Sequence, residues 1–266
     1  MNFLIVGLTD SEGSLPTDPA IPLKEPSLSM QTFLFAYART LDLFGSSGKI
    51  DLIVPYGKLA GSAIYEDQPV ERHVSGFGDA LVRLSIIFAG APAMKPAAFR
   101  TYRQDFVAGV SVQVSLPVGQ YEDGKLLNIG ANRWSVKPEI GVSKVLSRWT
   151  LETAASVTFY GANGQFYGDT RRTQAPIYSA RWHVIYSLPS GAWLALDANY
   201  LAGGATRIDG GDARNLQKNW RVGVTAAAPI SRSFSLKFNA SKGVSARTGN
   251  NYDLYGVALQ YRWADR

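Results

Sequence analysis

The chain has no cysteine among its 266 residues, which excludes disulfides and thiolate metal sites. Histidine is nearly absent too: His73 and His183 are the whole supply of imidazole. No stretch reaches the ~18–20 consecutive apolar residues of a spanning helix. Charged residues make up 18% of the chain, against about 25% in a typical globular protein. The net charge of +6 is not concentrated, because basic residues stand singly rather than in a dense Lys/Arg cluster. That distribution lacks the footprint of a nucleic-acid binder. The apolar start, Met1 to Leu8, lacks the positive leader and small-residue cleavage site of a secretory signal. The expectation is one domain over 1–266 with a signal peptide absent or removed.

What is plentiful is glycine (26) and the amphipathic aromatics tyrosine (13) and tryptophan (6), a mixture that favours β structure with interfaces. Apolar residues recur with period two, the spacing that puts them on one face of a strand. The cleanest case sets Phe106, Ala108, Val110, Val112, Val114 and Leu116 against Gly109, Ser111, Gln113 and Ser115. Another starts at Trp134, with Val136, Pro138, Ile140 and Val142 opposite Lys137, Glu139 and Ser143. Twelve such runs are expected, at 2–8, 29–41, 49–56, 79–88, 106–116, 134–145, 149–160, 176–188, 193–201, 220–228, 234–241 and 252–263. Trp193 has the wrong parity for the apolar face of its run. Pro138 cannot donate to a central ladder, so a bulge or a missing hydrogen bond is expected there.

The runs are mostly about ten residues long, against about five or six in soluble sheets; ten is what a tilted strand needs to cross a bilayer. Long polar connections such as 57–78 alternate with short turns, with 90–104 as the exception. These features predict an all-β fold: a transmembrane antiparallel up-and-down β-barrel of about twelve strands, of outer-membrane type, with lipid on the apolar face and a lumen on the polar one. Trp149, Tyr186, Tyr261 and Trp263 fall near the short-turn ends of their strands. Trp134, Tyr178, Tyr200, Trp220 and Tyr255 fall nearer the long loops. Two aromatic belts at the two membrane interfaces are expected from that division.

By parity the lumen holds Arg83, Lys137, Glu139, Glu152, Arg181, His183, Asp197, Arg221, Lys237 and Arg262. These residues can line a solute pathway, or pair with one another and stiffen the barrel. Twelve strands leave room for a narrow passage or for one occluded by inward loops. Asn128, Asn132 and Arg133 form a polar crown on the long-loop side. They are placed to meet entering solute or lipopolysaccharide phosphate, or to cap their own loop. A lipid-active enzyme in such a barrel needs a histidine beside a serine at the membrane face; His73 lies in a long connection and His183 has lumen parity. No cofactor motif or energy-coupling element is visible, and Asp209-Gly210-Gly211-Asp212 lacks the repeat of a calcium site.

Several stretches resemble the outer-membrane transporter-like family labelled "putative meta-pathway of phenol degradation". They are Ser75-Gly76-Phe77-Gly78-Asp79, Leu116-Pro117-Val118-Gly119-Gln120-Tyr121, Asn128-Ile129-Gly130, the run from Asn132 to Gly141, Gly203-Gly204 and Gln260-Tyr261-Arg262-Trp263. The resemblance implies a twelve-stranded barrel in the outer membrane of a Gram-negative bacterium, taking up aromatic or other hydrophobic compounds. The leading expectation is thus a monomeric channel for small hydrophobic or aromatic solutes, in contact with outer-membrane lipid and lipopolysaccharide. A closed structural or adhesive barrel is the alternative, and a lipid-active enzyme the third.

Overall fold

A strand that is apolar on one face and polar on the other still exposes its edges, and closing the sheet removes them. The computed structural model describes residues 1–14, 23–65, 67–94, 102–211, 215–247 and 251–264. In chain order the strands are β1 (Asn2–Ser14), β2 (Leu23–Leu43), β3 (Ser46–Tyr65), β4 (Gln68–Phe77), β5 (Ala80–Ala89), β6 (Phe106–Leu116), β7 (Ser135–Leu146), β8 (Trp149–Tyr160), β9 (Asn163–Phe166), β10 (Thr170–Gln174), β11 (Ile177–Ser187), β12 (Trp193–Gly203), β13 (Thr206–Ile208), β14 (Gln217–Pro229), β15 (Phe234–Ala246) and β16 (Asn251–Trp263). Every wall pairing is antiparallel, and β1 pairs with both β2 and β16, so the wall closes. Both β4 and β5 pair with β3, at its two ends, and together they make one wall strand broken at Gly78 and Asp79. The result is a twelve-stranded barrel. Short strands β9, β10 and β13 form a separate small sheet on the long-loop side.

The segment 57–78, expected as a polar loop, is instead a hairpin that continues β3 and β4 past the wall, Tyr56 opposite Phe77 and Tyr65 opposite Gln68. Likewise β1 runs to Ser14 rather than Leu8. Alternation fades where both faces meet water, yet the backbone still has to pair its N–H and C=O groups, so the ladder outlives the pattern. Of the 90–104 connection, residues 95–101 lie outside the described residues, and Pro92 bridges Ser46. The tightest turns sit on the same side as this connection, opposite the long loops. Phe44 and Gly45 both take left-handed φ, 56° and 83°, as a two-residue hairpin loop of matching twist requires.

Parity sets the faces as expected. Val136, Pro138, Ile140 and Val142 are exposed on the outward face of β7, while Lys137, Glu139 and Ser143 are half-buried inside. Trp193 shares the inward parity of the buried Ala195, which explains its mismatch. At Pro138 the ladder to β8 lapses, with no pairing at Lys137 or Pro138. It resumes at Glu139 opposite Ser156 in unchanged register, so the proline costs a hydrogen bond and not a bulge.

The outward aromatics gather into two bands. On the turn side Trp149 meets Tyr186 at 4.8 Å between ring centres, and Tyr261 meets Trp263 at 5.3 Å. On the loop side Trp220 lies 4.8 Å from Tyr200 and stacks on Trp182 at 5.6 Å. Trp134, Tyr178 and Tyr255 stand exposed there as well. Along β11, Tyr178 and Tyr186 are eight positions apart, about 26 Å along the strand. Tilt shortens that to roughly 20 Å, close to the apolar band of an outer-membrane barrel.

Candidate functional site: the lumen and its inward loop

Inside the barrel the charged residues come in clusters. Asp51 on β3 is buried and accepts from Arg83 Nε at 2.8 Å, with Lys49 Nζ 3.1 Å away. Glu139 lies between Lys137 at 3.5 Å and Arg181 at 2.5 Å. Arg181 reaches Glu139 from β11 across β8, where the intervening inward residues, Ala154 and Ser156, are small. His183 Nδ1 lies 2.6 Å from Asp197 Oδ1, and Asp197 Oδ2 accepts from the Thr225 hydroxyl at 2.6 Å. Glu152 accepts from Ser143 at 3.3 Å. Arg221 sits 3.8 Å over the Tyr252 ring and donates to the Ser241 hydroxyl and the Tyr252 carbonyl, each at 2.9 Å. Near the turn side Lys237 is exposed with no ion pair among the described residues, and Arg262 donates to the Arg232 carbonyl at 3.0 Å.

The parity-assigned charges therefore share one interior, largely paired. Asp51, which anchors one cluster, was absent from that set although it stands opposite Ile50 and Leu52. Its signal was the same alternation. His73 lies on β4 with its side chain exposed, 3.9 Å from Glu71, and not in an irregular loop. The His183–Asp197 dyad faces the lumen, away from the outward surface where a lipid substrate would lie. Asp209 accepts from the Arg171 backbone N–H at 2.7 Å, so it serves a turn; Asp212 lies outside the described residues.

The loop-side mouth is narrowed by the chain itself. Residues 117–134, between β6 and β7, fold inward and are pinned by Asp79. Its Oδ1 accepts from the Gly119 N–H at 3.0 Å and its Oδ2 from the Ala131 N–H at 2.8 Å, one bond to each arm of the loop. Arg72, inward on β4, holds the tip through Glu122 at 2.6 Å. Glycine on the facing strand eases the close approach. A Cβ at Gly57 would stand 3.1 Å from Ile129 Cδ1, and one at Gly61 3.1 Å from Leu127 Cδ1.

The three crown residues take different roles from an outward-reaching array. Asn128 caps its own loop, donating to the Glu122 and Lys125 carbonyls at 2.9 Å and accepting from the Glu122 N–H at 2.9 Å. Asn132, at φ 51°, donates to the buried Asn163 at 3.1 Å. Asn163 in turn donates to the Tyr121 hydroxyl at 2.7 Å. Arg133 is tucked against the Tyr160 ring at 4.6 Å and donates to Gln174 Oε1. Burial, reinforced by the charge of Arg172, lowers the Arg133 pKa to about 10.

Residues 25–262 match the family model described as "Putative MetA-pathway of phenol degradation". A comparison with curated proteins gave no match. Among solved structures the chain is similar to an outer membrane channel from Pseudomonas putida F1, with 17% identity, 97% of this chain and 94% of that chain covered, and a TM-score of 0.77. The transport unit of the autotransporter AIDA-I from Escherichia coli is similar at 10% identity, 98% and 90% coverage and a TM-score of 0.58. The KdgM porin in complex with disordered oligogalacturonate follows at 7% identity, 98% and 99% coverage and a TM-score of 0.52. At such identities these likenesses establish the fold, an outer-membrane-type barrel. Because its model matches nearly the whole of this wall and the inward loop, the chain belongs to the family described as "Putative MetA-pathway of phenol degradation".

Proposed function

We infer that the protein is a passive channel of the Gram-negative outer membrane, admitting small hydrophobic or aromatic compounds through a lumen narrowed by the 117–134 loop. One observation carries the reading: the basic partners of the interior pairs stay open to solvent, although the carboxylates that hold them, Asp51, Glu139 and Asp197, are mostly buried. Arg83, His183 and Arg181 keep 31%, 31% and 36% of their exposure despite their ion pairs. A barrel stiffened by a packed core would bury them, since unpaired or half-paired charge in a dry interior is costly. The family description and the likeness to a channel support the same assignment, and the two aromatic bands suit a lipid setting.

The inward loop favours a second reading, a closed barrel with a structural or adhesive role, because its packing fills part of the mouth. Purified protein in planar bilayers separates the two. The channel reading expects discrete current steps, smaller than those of sixteen-stranded porins, and faster entry of small aromatic solutes into protein-containing liposomes than into empty ones. Silent bilayers together with unchanged solute entry would support the closed barrel. Uptake at limiting aromatic carbon source by a strain lacking the protein carries the same test into cells.

A further inference from the structure

A cavity of about 240 Å³ lies behind the inward loop, between it and the β9–β10 hairpin, with Arg133 and Arg172 in its wall. We propose that it is a binding subsite for a small amphipathic organic anion, a carboxylate carrying a single ring or a short apolar tail, held between Arg133 and Arg172. The inference rests on the channel reading for its purpose, but its evidence is local.

Two arginines line one cavity. Each is already seated on an aromatic ring, Arg133 on Tyr160 at 4.6 Å and Arg172 on Phe166 at 5.0 Å. On Arg133 such stacking fixes the plane of the group and leaves its edge, where the N–H donors lie, to point elsewhere. On Arg133 one donor goes to Gln174, while Nη1 is buried with no hydrogen-bond partner among the described residues. A buried guanidinium donor without an acceptor is unfavourable, and it invites one. The carboxylate that acts on Arg133 from the protein, Asp79, has both oxygens committed to the Gly119 and Ala131 N–H groups. The two arginines also repel each other, so a bound anion would relieve two costs together.

The rest of the wall selects the kind of anion. Phe166 is buried, and Leu126 and Ile129 add aliphatic surface beside the Tyr121 ring. An inorganic phosphate or a lipopolysaccharide phosphate would place a strongly hydrated charge against that apolar half. A carboxylate on a ring fits both halves, and its two oxygens match the planar fork of arginine. The volume is below the ~300 Å³ at which pockets for drug-sized ligands begin, which points to one ring and not two. Lower in the barrel, the exposed Lys237 and Arg262 continue the cationic bias toward the turn side.

Isothermal titration of the full chain in detergent micelles tests this with three probes: benzoate, benzyl alcohol and inorganic phosphate. Benzoate is expected to bind saturably, at least tenfold tighter than the other two. Arg133→Gln and Arg172→Gln are each expected to weaken benzoate binding tenfold or more, with Arg172→Lys recovering part of the loss. Folding of each variant is checked by its heat-dependent shift on electrophoresis, and Arg172→Lys keeps the test alive if a glutamine variant fails to fold. Equal affinity for benzyl alcohol, preference for phosphate, no saturable benzoate binding, or undiminished binding in the folded glutamine variants would each overturn the proposal. Benzoate binding by a protein that carries no current would leave the subsite standing and remove the channel reading instead.

Discussion

Asp79→Ala is expected to enlarge the channel several-fold in conductance. The carboxylate makes one bond to each arm of the 117–134 loop, to Gly119 and to Ala131. Hydrogen bonds to a charged group contribute about 1.5–3 kcal/mol each. Half-exposure of the site favours the lower end, so the pair contributes roughly 3 kcal/mol to the packed loop, about a hundredfold in its population by the usual relation between free energy and equilibrium constant. The other anchors, Arg72 to Glu122 and Asn163 to Tyr121, limit the release to the arms that Asp79 holds. Asp79→Asn keeps an acceptor oxygen but loses the charge, and should fall between wild type and alanine. Single-channel recording is the measurement, with protease sensitivity within 117–134 as a second readout. Currents in Asp79→Ala equal to those of wild type would show that the loop is not the constriction.

The second large effect is expected at Glu139, where one carboxylate serves two cations. Glu139→Ala leaves Lys137 and Arg181 facing each other without a counter-charge. Breaking a buried pair costs ~3–5 kcal/mol, while an exposed pair contributes ~0–1 kcal/mol. With Arg181 36% exposed, an intermediate loss of about 1–2 kcal/mol is expected, read as a lower urea midpoint in micelles. Permeability for anions over cations should rise at the same time. The double variant Glu139→Ala/Arg181→Ala should recover part of the stability, because it removes one of the two stranded cations and their mutual repulsion while Lys137 stays without its counter-charge. No recovery would mean that Glu139 acts through packing and not through charge.

Much of this architecture was legible in the sequence because a barrel wall obeys a local rule. Phe106 to Leu116 and Trp134 to Val145 declare their faces by period two alone, and the inward set from Arg83 to Arg262 follows from that parity. Pairing was not legible, since it depends on register between strands. Asp51 meets Arg83 because β3 and β5 place them directly opposite, and Glu139 meets Arg181 only because Ala154 and Ser156 leave the space above β8 open. The extended hairpin of β3 and β4 was hidden for the opposite reason: above the apolar band both faces are wet, and nothing in the side chains marks a strand. The inward loop was the hardest part to foresee. Its anchor, Asp79, sits 40 residues before Gly119, and the glycines that make room for Ile129 and Leu127 stand in a segment that reads as loop. Asn128 and Asn132 read as a crown because loop asparagines serve solute and turn alike; here Asn128 caps its own loop and Asn132 ties the loop to Asn163.

Conduction requires the lumen to be a continuous aqueous path, and a thiol-labelling scan addresses that directly because the 266-residue sequence contains no cysteine. Single cysteines would replace Lys137, Asp197 and Lys237 on the inward face, and Ile140 and Leu196 on the outward face. A charged, membrane-impermeant methanethiosulfonate reagent would then be added during bilayer recording. The inward positions are expected to react and to reduce the current, at rates falling from the mouth toward the turn side, while the outward positions stay silent in lipid. Unreactive inward cysteines, or labelling that leaves the current unchanged, would contradict a conducting lumen.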